Sequence, residues 1–526
     1  MTPANTKFEE VTQMKMKNVL TGILTVGLLA GLAVPAAAAD SVNTVSYRAV
    51  DIVVNGDRIH PKDANGAPVE PFLYQGTTYL PVRSVANALG LDVGWEDGTV
   101  ILTSNGSGKA AVGTPIYSNR DREVYMGGSE VKVTLDGKAL ELKDANGNTV
   151  TPIIVNGVTY LPVRAVADAL NVKVEWDGST NTVYLGKKIL WLPTEIKYNS
   201  ELVGGYVQTF TYDTKGNLLT NITKYSNYTD ETRYAYDAQG NVTRYTYKST
   251  DPDYPLSFEY VYTYDAKGNK LTEKFTQEQY PTESYTTTYT YDANGNLIRE
   301  NLVYNDDSMA EMVYSYDAKN QLVKLVQSYK GETMYTTTYT YDNRGNTLTE
   351  YVVAADKSSE TLTTNTYDSR NNLLSCVIKD VYVYDGQENT SITTETYTYD
   401  RDNNVLSTAY SDGTFSDKFT YTYDDRGNII KDAYSDNENY TFTTVTTYDQ
   451  YDNVTSTTAT SSESPTEKVL WTYTYNDGGD ILTETYTSDS GETDTYTYTY
   501  DSHGNLLTES SGSDYSYTYK YTSIQP

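Results

Sequence analysis

Six aspartates, Asp213, Asp265, Asp292, Asp342, Asp424 and Asp501, occupy one place in a phrase that recurs along the second half of the chain, Tyr-Asp-x-x-Gly-Asn. A carboxylate at fixed spacing with an Asn amide four residues on supplies hard oxygens of the kind calcium takes. One ion needs several such oxygens at once, and each phrase offers only one of each kind. Turn capping by the Asp side chain accounts for the residue without a metal, so these six are weak calcium candidates and no metal site is expected. The 70 acidic residues leave room for the paired carboxylates of glycoside hydrolysis. Repeated acids at equivalent turn positions are structural, however. The only histidines are His60 and His503, far apart in sequence, which excludes catalytic triads and histidine zinc sites. No phosphate loop of the form Gly-x-x-x-x-Gly-Lys-Ser/Thr, no Gly-x-Ser-x-Gly elbow and no His-Glu-x-x-His helix occurs. Cys376 is the single cysteine, has no His nearby in sequence and reads as a small packed residue on a strand after a turn. No catalysis and no cofactor are expected.

The phrase recurs twelve times, with its Tyr at 212, 236, 264, 291, 316, 341, 367, 399, 423, 448, 475 and 500. The spacing is 24 to 28 residues apart from one gap of 32, a period that signals a repeat architecture. In Tyr289 to Ile298, Tyr and Thr alternate, so both tyrosines share one face of a strand. The Asp then opens a type I turn, and the residue three later needs positive φ. Eight units place a glycine there: Gly216, Gly240, Gly268, Gly295, Gly345, Gly427, Gly479 and Gly504. The other four place Asn320, Asn371, Asn403 and Asp452, all residues that tolerate such a backbone. Each unit is therefore a β-hairpin, and about two dozen short strands follow.

Tyrosine is in excess, 54 against 8 Phe. A dry core would accept Phe, because a buried Tyr hydroxyl must find a partner. One reading of the Tyr rows is a face that stacks on sugars, and the plainer one is a ladder that cements adjacent hairpins.

The phrase resembles the YD repeats of the Rhs family, in which hairpins coil into a long spiral sheet and sometimes a hollow shell. The resemblance covers about residues 195 to 526. It implies a β-hairpin repeat array, as a spiral sheet, a solenoid or a shell, and the repeat itself does not decide between them. No Rhs-core motif or toxin domain follows the last repeat within the sequence.

A second duplication precedes the repeats. Asn55 to Trp95 aligns with Asp136 to Trp176 at a constant offset of 81. The shared core, Gly-x-Thr-Tyr-Leu-Pro-Val-Arg-x-Val-Ala-x-Ala-Leu, contains Tyr79, Pro81 and Arg83 in one copy and Tyr160, Pro162 and Arg164 in the other, followed by Trp95 and Trp176. Pro81 and Pro162 suit the first turn of a helix, after which apolar residues fall at helical spacing. Strands are expected at Asp51–Val54, Val93–Trp95, Val131–Leu135 and Val172–Trp176, which makes each copy a small α+β module. Arg83 and Arg164 read as bonding helix and strand carbonyls within each module, with a clamp for an anionic wall polymer as the functional alternative. Trp95 and Trp176 read as core anchors closing the helix on the sheet.

These residues resemble the copper amine oxidase-like N-terminal domain, also called a stalk domain. The resemblance implies a non-catalytic module found on exported Gram-positive proteins. An oxidase would require three histidine ligands and a Tyr-derived quinone, and two distant histidines exclude that activity. Copper amine oxidase chemistry is rejected.

The net charge of −30 disfavours nucleic acid or an anionic membrane as partner. Lys15 and Lys17, the apolar run Val19 to Val34 and Ala37-Ala38-Ala39 before Asp40 read as a signal peptide. Glu9-Glu10-Val11 can be encoded by a ribosome-binding sequence just before the Met14 codon, so the true start is expected at Met14. The expected organisation is a signal peptide (1–39), a first stalk-like module (40–106), a linker (107–122), a second module (123–188) and twelve hairpin repeats (189–526), in a mainly β protein. The expectation is an extracellular or cell-surface structural or adhesion protein, modules as base and repeats as an extended interaction element. A carbohydrate-binding protein and an Rhs-like shell remnant are the alternatives. Its partner class would be a cell-wall polymer or a glycan, with no nucleic acid and, after signal cleavage, no membrane.

Overall fold

The computed structural model describes residues 41–104, 121–127, 131–144, 147–200, 202, 204–384, 386–449, 452–465, 468–476, 479–512 and 514–526. The signal peptide, the Met14 start and most of the linker lie outside them. The chain divides into two compact units, the first ending at Lys187 and the second running from Lys188 on, with Gly56–His60 grouped with the second. Among the described residues the fold is mainly β, a small sheet unit with two short helices and a large closed barrel.

In the N-terminal unit the two copies exchange strands. One four-stranded sheet joins Asp92–Glu96 and Thr99–Thr103 of the first copy to Lys132–Leu135 and Lys138–Ala139 of the second. The other reciprocates, joining Val174–Asp177 and Thr182–Leu185 to Asp51–Val54. In both sheets the exchanged pair is parallel, Thr99 to Lys132 and Thr182 to Asp51. A six-stranded sheet carries the antiparallel junction Thr77–Pro81 with Val158–Pro162. Helices α1 (Val82–Ala88) and α2 (Val163–Ala169) follow these two strands directly. Both apolar clusters mix the copies, with Val82, Leu91 and Leu102 beside Val133, Leu142 and Leu161, and Phe72 and Tyr79 beside Ile153 and Tyr160. Each copy alone would expose half of its core.

The two prolines correct the expectation for the helix starts. Pro81 ends a strand and serves as N-cap at φ −61° and ψ 114°, so the helix begins one residue later. Pro162 likewise ends its strand, and its helix begins at Val163. Pairing across the junction, Pro81 with Tyr160 and Pro162 with Tyr79, keeps both extended.

The second unit is one antiparallel meander of 26 strands from Leu190–Ser200 to Tyr515–Ile524. It closes on itself: its first strand pairs with its last from Leu190↔Ile524 to Ser200↔Tyr515, with one irregularity at Pro193/Glu195. Rings cover the seam, with Tyr198 at 5.1 Å from Tyr206 and 4.7 Å from Tyr517 between centroids. Closure removes the edge strands that an open ribbon would expose.

Candidate functional site: the turn rim and the Arg83–Trp95 cleft

Each of the twelve turns is built by its own side chains. In the first, the Asp213 backbone N–H donates to the Asn217 carbonyl and the Gly216 N–H returns to the Asp213 carbonyl. Asp213 Oδ1 accepts the backbone N–H of Lys215 (2.8 Å) and of Asn217 (2.9 Å), while Oδ2 accepts the Asn217 side-chain amide at 2.9 Å. The same arrangement recurs around Asp265, Asp292, Asp342, Asp424 and Asp501. The Asn amide, joined by backbone N–H groups, holds the carboxyls of Asp213, Asp265 and Asp292 below the ordinary range. At 476 to 480 the roles are exchanged, because Asn476 stands first and donates its amide to Asp480 at 2.9 Å. Both oxygens of each weak calcium candidate are thus engaged within its own turn. Among the described residues no three His, Cys, Asp or Glu side chains gather in a way that could hold a metal.

The third residue after the one that opens the turn has positive φ in all twelve units, from +62° at Asp452 to +94° at Gly240 and Gly345. The remaining glycines fall inside that range: Gly216 at +87°, Gly268 at +86°, Gly295 at +91°, Gly427 at +84°, Gly479 at +85° and Gly504 at +81°. Gly268, Gly427, Gly479 and Gly504 also donate their N–H groups to the carbonyls of Asp265, Asp424, Asn476 and Asp501, which closes each turn as Gly216 does. Where the position is not Gly, its side chain reaches back along the rim. Asn320, Asn371, Asn403 and Asp452 each accept the amide of the preceding turn, from Asn296, Asn346, Asn372 and Asn428, at 2.7 to 3.1 Å. Basic residues span the same gap forward: Lys215 to the Ala238 carbonyl at 2.9 Å, and Arg344 to that of Ser369 at 2.7 Å. The rim links turn to turn, a function that isolated hairpin signals do not reveal.

The twelve turn tyrosines have one role. Every hydroxyl donates to a backbone carbonyl on the strand before its own: Tyr212 to Pro193, Tyr236 to Leu218, Tyr264 to Val242, Tyr291 to Lys270, Tyr316 to Leu297 and Tyr341 to Leu322. Tyr367 donates to Thr347, Tyr399 to Leu373, Tyr423 to Val405, Tyr448 to Ile429, Tyr475 to Val454 and Tyr500 to Ile481, all twelve bonds lying between 2.7 and 3.1 Å. Phe would fill the same space and leave those carbonyls without this donor, which explains Tyr at these twelve of the 54 positions. A second row of tyrosines on the same face meets carboxylates, as in Tyr339 to Glu350 at 3.1 Å and Tyr397 to Glu395 at 2.6 Å. Burial, then Glu350, pushes the Tyr339 hydroxyl up to about 12. The opposite face carries threonine pairs beside the turns, such as Thr263 with Thr272 and Thr340 with Thr349, at 2.6 Å. Cys376 is half-buried on the Tyr face, opposite Asn365, and burial followed by Glu395 raises its thiol. A raised thiol is a poor nucleophile near neutral pH.

In the N-terminal unit Tyr79 and Tyr160 are core residues, 5% and 4% exposed. Trp95 and Trp176 are not the core anchors expected of them: they are 51% and 49% exposed. Both lie on outermost strands of their sheets. The cluster beside Trp95, which includes its cross-strand partner Val100, is already filled by aliphatic residues from both copies, and that exchange was not visible in the linear order. Arg83 Nη1 donates to the Val93 carbonyl at 3.2 Å, tying helix to strand, whereas Arg164 is exposed. Arg83, Val93 and Trp95 line a cleft of about 420 Å³ whose other wall is the second copy's hairpin at Ile154 and 156–159.

The family model described as the copper amine oxidase N-terminal domain matches residues 54–185 and again 134–206, less than a third of the chain. Copper does not fit the residues present, since three histidine ligands cannot be assembled from His60 and His503. No curated protein matches the chain. Among solved structures, the TcdB2-TccC3 crystal structure is 13% identical with a TM-score of 0.26. That match covers 85% of this chain, which spans only 30% of the other. A porin-like protein from Bacteroides uniformis is 11% identical with a TM-score of 0.18, covering 51% of this chain and 96% of its own. At these scores neither likeness bears on the fold or function of this chain.

Proposed function

We propose that this chain is a non-catalytic, exported or cell-surface structural protein whose twelve repeats form a hollow β-ring. The observation that supports it is closure without a packed core. Among the described residues of the barrel, only Ala354 is a fully buried apolar side chain, although 26 strands close the sheet. A barrel of that many strands is too wide for its side chains to fill. The residue types that mark the repeat, Asp, Asn, Gly and Tyr, are occupied in holding turns and neighbouring strands together, which leaves them no catalytic task. The Tyr face is the covered one: each turn Tyr is half-buried and the residue before it exposed. Crowding of that kind marks the concave side of a closed sheet, so the Tyr face lines the ring. The function is mechanical, to present or enclose, and a wall polymer or glycan is the partner class for the outer surface. Closure also favours a second reading, an Rhs-like shell around a cargo.

A membrane barrel is disfavoured. Its lipid-facing side needs a continuous apolar band. Here the Tyr face carries Glu300 and Glu350, and the Thr face carries Arg244, Arg299 and Lys324.

Cys376 supplies the test, because it is the sole thiol and lies on the Tyr face. In the native full-length chain a small maleimide should label it, while a bulky polyethylene-glycol maleimide should react only after denaturation. A Thr290→Cys probe on the other face, in a Cys376→Ser background, should accept both reagents. Equal native labelling of Cys376 by both would overturn the enclosed Tyr face.

A further inference from the structure

We propose that the cleft between Arg83 and Trp95 is a binding site for a carboxylated sugar unit. It lies wholly in the N-terminal unit, so it stands independently of the hollow-ring reading. Its volume, about 420 Å³, falls within the range of small-ligand clefts.

Three observations carry the assignment. Half of Trp95 is exposed, on an outermost strand, although the cluster behind it is complete without it. A large aromatic held with one face in water at a cleft is a platform for the C–H face of a pyranose ring. Arg83 stands beside it, steered by its bond to the Val93 carbonyl, two residues before Trp95 on the same face of the strand. One of its nitrogens makes that bond, and a guanidinium has five N–H donors, enough to hold a carboxylate as well. Asp63 also lines the cleft and forms no ion pair with Arg83. Asp63 Oδ1 is committed to the backbone N–H of Asn65 (2.8 Å) and of Ala67 (2.9 Å), and among the described residues Arg83 forms no ion pair.

Charge distribution favours this unit for an acidic ligand. Residues 41–187 hold 13 Lys and Arg against 16 Asp and Glu, whereas residues 188–526 hold 24 against 51. An anion is repelled far less by the first unit than by the barrel. The duplication supplies a second set, since Arg164 and Trp176 stand at the equivalent positions and both are exposed. Two such sets on one unit suit a polymer that repeats its acidic sugar. Nucleic acid also offers anions and rings, but its dense phosphates would be repelled by a chain of net charge −30.

The test is calorimetric titration of the full-length chain in a Trp176→Ala background, so that the duplicated position does not contribute. The probes are tetragalacturonate, a glycan fragment containing N-acetylmuramic acid, and neutral chitotetraose. One or both acidic probes should bind at least about tenfold more tightly than the neutral one, and which of them binds identifies a uronate or a wall-glycan source. Trp95→Ala should weaken that binding by about tenfold or more, as should Arg83→Gln. Half of Trp95 is in water, so Trp95→Ala should keep the chain folded and decides the matter if Arg83→Gln unfolds. No binding, equal binding of the neutral probe, or binding unaffected by Trp95→Ala would each overturn the assignment.

Discussion

Replacing Tyr341 by Phe removes one oxygen and nothing else. The ring keeps its packing on the half-buried Tyr face, and the hydroxyl's 2.7 Å bond to the Leu322 carbonyl is lost. A neutral intramolecular hydrogen bond contributes about 1 kcal/mol net. Leaving the carbonyl without this donor adds to that, so a cost of about 1–2 kcal/mol is expected. Tyr423→Phe, which removes another 2.7 Å bond, to the Val405 carbonyl, should cost the same. The two sites lie in different hairpins and share no partner, so the double variant should lose about 2–4 kcal/mol by additivity. Tyr254→Phe is the control, because Tyr254 is 81% exposed and outside the strands. The assay is urea unfolding followed by circular dichroism. With a slope of about 3 kcal/mol/M, each turn variant should lower the midpoint by roughly 0.3–0.7 M and the control should not move it. A midpoint for Tyr341→Phe equal to that of Tyr254→Phe would refute the claim that the tyrosine ladder joins the hairpins.

Gly295 sits at φ +91° with nothing within 4 Å of where a Cβ would stand, so the cost of Gly295→Ala is backbone strain alone, about 1–2 kcal/mol. Gly295→Asn should cost less, as Asn320, Asn371 and Asn403 occupy the same turn position at φ 63°, 70° and 68°; thermal melts that rank Asn below Ala would contradict the turn geometry. Acid should loosen the rim. The folded carboxyls of Asp213, Asp265 and Asp292 are depressed by their Asn partners, so their contribution is complete above the unfolded value of about 4 and is lost as pH falls through the lower folded values. Urea midpoints should decline below about pH 4, and an Asp292→Asn variant should show a shallower decline than the parent.

Much of the repeat was legible because its information is local. Asp opens a turn by bonding N–H groups two and four residues on, and Gly three residues on relieves a left-handed backbone. A period near 25 residues then sets the hairpin count. The Asn at the fourth position carried a signal that turn rules alone did not use: its amide completes the Asp carboxylate, as Asn217 does for Asp213. Arg83 was legible for the same reason, since its partner Val93 is only ten residues away. Trp95 was not, because a Trp in an apolar pattern reads as core unless the residues that fill that core are known, and half of those come from the other copy.

The sequence by itself determined the hairpins, the positive-φ positions, the shared Tyr face and the duplication, all consequences of interactions within a few residues or of side-chain alternation. Tertiary structure alone decided three things: that the sheet closes, that the duplicated copies exchange strands, and that each turn Tyr bonds the strand before its own. Closure depends on twist and stagger accumulated over 26 strands until Leu190 meets Ile524. No single repeat encodes that sum, just as no single copy encodes which partner completes its sheet.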